Sequence, residues 1–299
     1  MREEKVSVLS DGLRLSGIIH LPDNTGSVRG QPAFVVLHGF GSTKESDNAS
    51  VPCRFLSRLG YVALRIDMRG CGESDGERGR VICMEQVEDT KNAVSYLASR
   101  EEVDANRIGC FGSSFGGAVA IYTGGVDLRV AAVISSGGWG DGEAKFKGQH
   151  PGDAWAAFCE MLEQGLEIKK QTGHSIKIPR DKIVPIPSQL KTNLKSNAIA
   201  EFPIETVESM YNFKANDVIA HISPRPVLLL HSSNDSVTPT DQSIELFRRS
   251  KQPTDLHLFA NVDHFMFAEE NRLVRSTIEN WLNVYLPVHV AHDNSRAAS

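Results

Sequence analysis

Short apolar runs alternate along the chain with longer stretches in which apolar residues recur every three or four positions. Residues 6–10, 13–21, 33–37, 61–66, 107–111, 130–135, 227–231 and 255–260 have the length and character of strands. The first two meet at Asp11-Gly12, a strong hairpin signal. The later runs are continuously apolar, as strands covered on both faces of a parallel sheet are. Helical spacing predicts helices over 45–59, 84–99, 114–122, 241–250 and 269–285. In the last of these, Val274, Ile278, Trp281, Leu282 and Tyr285 form one stripe. This alternation predicts an α/β fold, a doubly wound, mostly parallel β-sheet.

One stretch breaks the rhythm. Between Trp139 and His221 there is no clean strand, yet Trp155, Phe158, Met161, Phe202, Met210 and Phe213 are too many large apolar residues for a solvated loop. Loops of such length are rare in compact domains. The expected organisation is a sheet domain over 1–138 and 222–286, a helical lid inserted over 139–221, and a flexible C-terminal tail over 287–299.

Composition narrows the class. The 299 residues carry a net charge of −5 and no block of Lys or Arg, which argues against a nucleic-acid partner. No apolar run approaches the roughly 20 residues of a membrane span. No apolar signal segment follows Met1-Arg2-Glu3-Glu4-Lys5, so a cytoplasmic protein is expected. The five cysteines are odd in number and form no C-x-x-C pair, so neither a disulfide framework nor a zinc site is expected. No metal or cofactor motif occurs. The expected partner is a small-molecule substrate, with homo-oligomerisation left open.

Gly112-Ser113-Ser114-Phe115-Gly116 fits G-x-S-x-G between an apolar run and a helical segment, the context of a nucleophile elbow. Ser114 is the expected nucleophile; Ser113 has the wrong spacing to the glycines. A serine hydroxyl needs a base, and the base an orienting acid. Among ten histidines, His264 sits just past the last expected strand, with His231 as the competitor. The acid candidate is Asp235, in the loop after the 227–231 run, with Asp263 as the alternative. The order Ser114, Asp235, His264 is the Ser…Asp…His order of such folds. The backbone N–H groups of Phe115 and of Phe40, within His38-Gly39-Phe40-Gly41, are the expected oxyanion donors. His38 is expected to fix its loop. Trp139, set among Gly137, Gly138 and Gly140, is expected to line the substrate pocket.

With these residues in place, the chain resembles the α/β-hydrolase fold serine hydrolases across roughly 6–286, the insertion excepted. Asp67-Met68-Arg69-Gly70-Cys71-Gly72-Glu73-Ser74 is similar to that family's D-x-R-G-x-G-x-S turn. Phe115-Gly116-Gly117 resembles the elbow of the prolyl-oligopeptidase-like and X-Pro-peptidase-like branches, with the dienelactone-hydrolase-like branch alongside. The resemblance implies a hydrolase working through an acyl-enzyme, with an ester, thioester, lactone or amide as substrate. A carbon–carbon bond hydrolase or small peptidase would use the same triad, and a non-catalytic ligand-binding scaffold is the reading from another class.

Overall fold

A computed structural model describes residues 1–23, 30–267 and 271–288. The chain opens with the hairpin of β1 (Arg2–Ser10) and β2 (Leu13–Leu21). Asp11 and Gly12 both have positive φ, 49° and 80°, as a two-residue turn matched to strand twist requires. There follow β3 (Gln31–Leu37), α1 (Asp47–Arg58), β4 (Val62–Ile66), α2 (Cys83–Ala98), β5 (Val103–Ser113), α3 (Phe115–Val126) and β6 (Val130–Ser136). Next come α4 (Gly142–Gln149), α5 (Asp153–Thr172), β7 (Lys177–Pro179), α6 (Arg180–Ile183), β8 (Glu201–Pro203) and α7 (Ile204–Asn212). The chain then returns through β9 (Val227–Ser232), α8 (Asp241–Arg249), β10 (Thr254–Phe259) and α9 (Arg272–Tyr285). The predicted helix start at Glu269 and the predicted tail from residue 289 onward lie outside the described residues. The Asn271 side chain caps α9, accepting from the N–H groups of Leu273 and Val274.

Eight strands form one sheet in the order β1-β2-β4-β3-β5-β6-β9-β10. The β1–β2 and β2–β4 pairs are antiparallel and all others are parallel. This is the α/β-hydrolase fold. After β3 the chain winds to β4 on one side and then returns to β5 on the other. The carboxyl ends of β3 and β5 thus flank a topological switch point, where open α/β sheets place their sites.

Strand alternation divides the core between the two faces of the sheet. Phe34, Val36, Phe111, Leu228 and Leu230 pack with Leu56 of α1 and with Ile278 and Leu282 of α9. Val35, Leu37, Cys110 and Leu229 pack on the other face, with Val87 of α2 and Val119 of α3. Phe146, Phe158, Phe202, Ile204 and Met210, from residues 139–221, belong to that second cluster. Their apolar core is therefore continuous with that of the sheet.

Residues 139–221 are mostly helical, as the sequence predicts, but they are not free of strands. β7 and β8 form a small antiparallel ribbon in which Ile178 faces Phe202. Three residues per strand are too few to leave a period-2 signature.

The Asp67–Ser74 turn is a knot of buried charge beside the β3 loop. Asp67 accepts from the Lys44 backbone N–H and from Lys44 Nζ, both at 2.6 Å, and from the Glu73 N–H at 2.9 Å. Arg69 donates from Nε at 2.8 Å and Nη2 at 2.6 Å to Asp89 Oδ1. Ser74 Oγ donates to the Asp67 carbonyl and accepts from the Ser16 N–H, tying the turn to β2.

Candidate active site

The junction of β5 and α3 is shaped by two glycines. A Cβ on Gly112 would lie 1.9 Å from the Gly116 carbonyl oxygen, and one on Gly116 would lie 2.6 Å from the His38 carbonyl oxygen. Only glycine at both positions lets the strand turn this sharply into the helix and lets the helix start sit against the end of β3. Ser114 absorbs the turn with φ 55° and ψ −119°, a conformation rare for a residue with a side chain. Its N–H is fixed to the Ser136 carbonyl at 2.8 Å. Ser113 points elsewhere: it is buried and its Oγ donates to the Asn48 carbonyl at 3.1 Å.

His264 and Asp235 are brought together by the loops after β10 and β9. His264 Nδ1 lies 2.8 Å from Asp235 Oδ2 and 3.1 Å from Oδ1. The carboxylate is fully buried and accepts from the N–H groups of Val237 (2.8 Å) and Thr238 (2.7 Å). Burial alone would raise the Asp235 carboxyl, but His264 and His231 outweigh it and hold the group well below the usual carboxylate range. His231 Nε2 is 3.3 Å from Asp235 Oδ2, while its Nδ1 meets Ser243 Oγ at 2.6 Å. Its Nε2 also lies 3.1 Å from the Thr238 carbonyl oxygen, so it ties the Asp235 loop to the end of β9. Asp263 has a different task. It accepts from the N–H and Oγ of Ser236 and from the His264 N–H, so it staples the histidine loop to the acid loop.

The rings of Phe40 and Phe115 meet with centroids 6.0 Å apart. Phe115 is the first residue of α3, where a backbone N–H has no intrahelical acceptor. His38 is fully buried, with Nδ1 2.8 Å from the Gly39 carbonyl oxygen and Nε2 accepting from the Met68 N–H. It fixes the loop. A Cβ on Gly39 would come within 3.7 Å of Ser114 Cβ, and one on Gly137 within 3.4 Å of the His264 ring.

Ser114, His264, Phe40 and Gly39 line one narrow cavity of about 40 Å³. Its other walls include Val184, Ile186 and Leu194 from residues 139–221, with Val237 and Phe265. A larger hollow of about 340 Å³ adjoins it, sharing Ile186 and Val237.

Trp139 is placed otherwise than the sequence suggests. It is fully buried, 5.5 Å from Phe213 and 6.4 Å from Phe115 between ring centroids, and it is not part of the cavity wall. The reason is local: a Cβ on Gly117 would lie 3.0 Å from Gly138 Cα, so the chain leaving β6 presses against α3 rather than arching over the serine.

Arg180 is the site residue that sequence reasoning misses. From the start of α6 it reaches the cavity, and its Nη2 donates to the carbonyls of Phe40 (2.7 Å) and Gly41 (2.9 Å). Its Nε donates to the Ile199 carbonyl at 2.9 Å. Phe202 stacks on Phe40 at 4.1 Å alongside. Among the described residues no group of three or more His, Cys, Asp or Glu side chains is placed to hold a metal ion.

Residues 30–271 match the family model described as serine aminopeptidase, S33. The chain belongs to this hydrolase family. It is 28% identical over 253 residues to a 31.7 kDa protein of the traX-finO intergenic region of Escherichia coli, covering 80% of this chain and 83% of that one. It is also 28% identical over 279 residues to the thiohydrolase aneE of Aspergillus aculeatus, covering 85% and 83%. The crystal structure of PA2218 from Pseudomonas aeruginosa superposes with a TM-score of 0.80 at 24% identity, over 95% of this chain and 94% of that one. Membership makes this chain an α/β hydrolase. No helix among the described residues is long and apolar enough to cross a membrane.

Proposed function

We propose that the protein is a serine hydrolase that cleaves a carboxylic ester or thioester through an acyl-enzyme on Ser114. The observation that carries this reading is the 2.8 Å pairing of His264 Nδ1 with a buried, ionised Asp235, with His264 opening on the same cavity as a strained Ser114. Asp235 fixes the tautomer that leaves His264 Nε2 free to accept a proton. Ser114 Oγ attacks the acyl carbon as His264 takes the hydroxyl proton. The developing oxyanion receives hydrogen bonds from the N–H groups of Phe115 and Phe40. His264 then gives its proton to the departing alcohol or thiol. Water repeats the cycle on the acyl-enzyme and releases the acid.

In this reading residues 139–221 act as a lid. Val184, Ile186 and Leu194 narrow the acyl slot, and the adjoining hollow takes the leaving group. The thiohydrolase relative supports including thioesters. The likeness of Phe115-Gly116-Gly117 to the peptidase-like branches adds amides as a slower class. The test is active-site labelling with a neutral fluorophosphonate, followed by mass mapping. Wild type should be modified on Ser114, and Ser114→Ala should neither label nor turn over p-nitrophenyl esters while keeping its thermal midpoint. Modification at another residue would falsify the assignment.

A further inference from the structure

The buried cations of this molecule are handled in two ways. Lys44, Arg65 and Arg69 are each matched by carboxylates, from Asp67 and Glu73, from Glu45, and from Asp89 respectively. Lys145 has no such match, and burial lowers its ammonium to about 7, so its charge is readily shed. Arg180 follows neither course. Its three hydrogen bonds go to neutral carbonyls, and its guanidinium carbon lies 5.5 and 5.7 Å from the ring centroids of Phe40 and Phe202. No carboxylate among the described residues lies within ion-pair distance of it. Burial lowers the guanidinium only to about 10, so it stays charged at neutral pH. A largely buried charge without a counter-charge is costly unless something supplies one.

The cavity wall around Arg180 is also short of partners. Ser46 Oγ and Asn48 Oδ1 are both buried and without a hydrogen bond, and both residues line the cavity that holds Ser114. Asp47 lies between them in the chain, and its carboxylate is already matched by Lys195 Nζ at 3.1 Å. The wall of the slot thus presents a guanidinium whose charge is unmatched, a hydroxyl and an amide. A planar guanidinium suits a planar carboxylate.

We propose that Arg180 receives a carboxylate carried by the acyl part of the substrate, so that the preferred substrates are half-esters or half-thioesters of short dicarboxylic acids. This rests on the hydrolase reading above. The substrate anion becomes the missing counter-charge, and its binding draws the acyl carbon toward Ser114. Through the Phe40 and Gly41 carbonyls, the same guanidinium positions the loop bearing the Phe40 N–H.

The test compares mono-p-nitrophenyl glutarate with p-nitrophenyl pentanoate, an acyl pair of equal carbon number that differs by a carboxylate. Wild type should favour the half-ester in kcat/KM by about tenfold or more, in the range of a charged hydrogen bond. Arg180→Gln should slow both esters and abolish that preference; Arg180→Lys should keep part of it. A wild-type preference for the neutral ester, or a ratio unchanged in Arg180→Gln, overturns the proposal and leaves Arg180 as a loop-positioning residue only. Calorimetric titration of glutarate into Ser114→Ala is read without turnover. Saturable binding that Arg180→Gln abolishes supports the proposal, and its absence counts against it. A protein that binds glutarate yet resists fluorophosphonate would sink the hydrolase reading alone.

Discussion

Asp89 and Asp235 are both fully buried carboxylates, each accepting several hydrogen bonds, and they sit on opposite sides of the switch point. The first is held by Arg69 and by Ser10 Oγ, beneath the Asp67–Ser74 turn. The second is held by two histidines and two backbone N–H groups, at the ends of β9 and β10. Arginine keeps its charge across the ordinary pH range, so the Asp89 pair holds wherever its carboxyl, which burial pushes up, is ionised. Histidine can take a proton from one partner and give it to another during a reaction, so the Asp235 pair can change state while the backbone stays still. Under the proposed function, equal burial serves architecture in one place and chemistry in the other, and the partner decides which.

The sharpest division should come from paired substitutions. Asp235→Asn should lower kcat by about 10⁴-fold, the scale expected when the histidine loses its orienting acid. A loss below about tenfold would mean that Asp235, like Asp89, is only structural. Asp89→Ala should leave Arg69 buried beside Asp11 alone and cost roughly 3 kcal/mol or more of stability. Urea unfolding would measure that, and kcat per folded molecule should stay near wild type.

Acid separates the two further. The folded Asp235 carboxyl titrates below its unfolded value of roughly 4, so its contribution to stability is present above that pH and is lost as pH falls through the folded value. The stability gap between wild type and Asp235→Asn should therefore be widest at neutral pH and narrow at pH 3. Urea midpoints at the two pH values would show this, and a gap that widens in acid contradicts it. The smallest effect belongs to Asp263→Asn, which weakens the staple between the two loops. About 1 kcal/mol of stability and a severalfold drop in kcat are expected, with pH dependence unchanged.

Much of this fold is legible in the sequence. The central strands β3, β4, β6 and β9 are apolar runs because burial on both faces of a parallel sheet imposes that pattern, while the antiparallel edge strand β1 alternates between buried and exposed positions. The elbow is readable because the tight strand-to-helix turn demands glycine at Gly112, four residues from the Gly116 carbonyl it would strike, whereas the contact that demands Gly116 comes from the distant end of β3. Asp235 and Asp263 are both plausible acids in one dimension, and only the loop paths divide their duties. Trp139 misled because its glycines read as freedom to arch, whereas they permit close packing on α3. Arg180 was invisible for a different reason. It follows a proline in an aperiodic stretch, and its partner Phe40 lies 140 positions away in the chain. The β7–β8 ribbon escaped through shortness alone.

The core shared between residues 139–221 and the sheet bears on how such a protein diversifies. A cap with its own core could be exchanged between relatives as a cassette, leaving the catalytic half untouched. Here Phe146, Phe158 and Met210 fill the same cluster as Val119 of α3 and Leu229 of β9. A graft of the whole stretch would open voids in that shared core. Under the proposed function, new specificities would instead be reached by changing a few residues of the cavity wall, such as Arg180, Val184, Ile186 and Leu194. For this architecture, substrate range and foldability are inherited together, and stepwise substitution is the route open to selection.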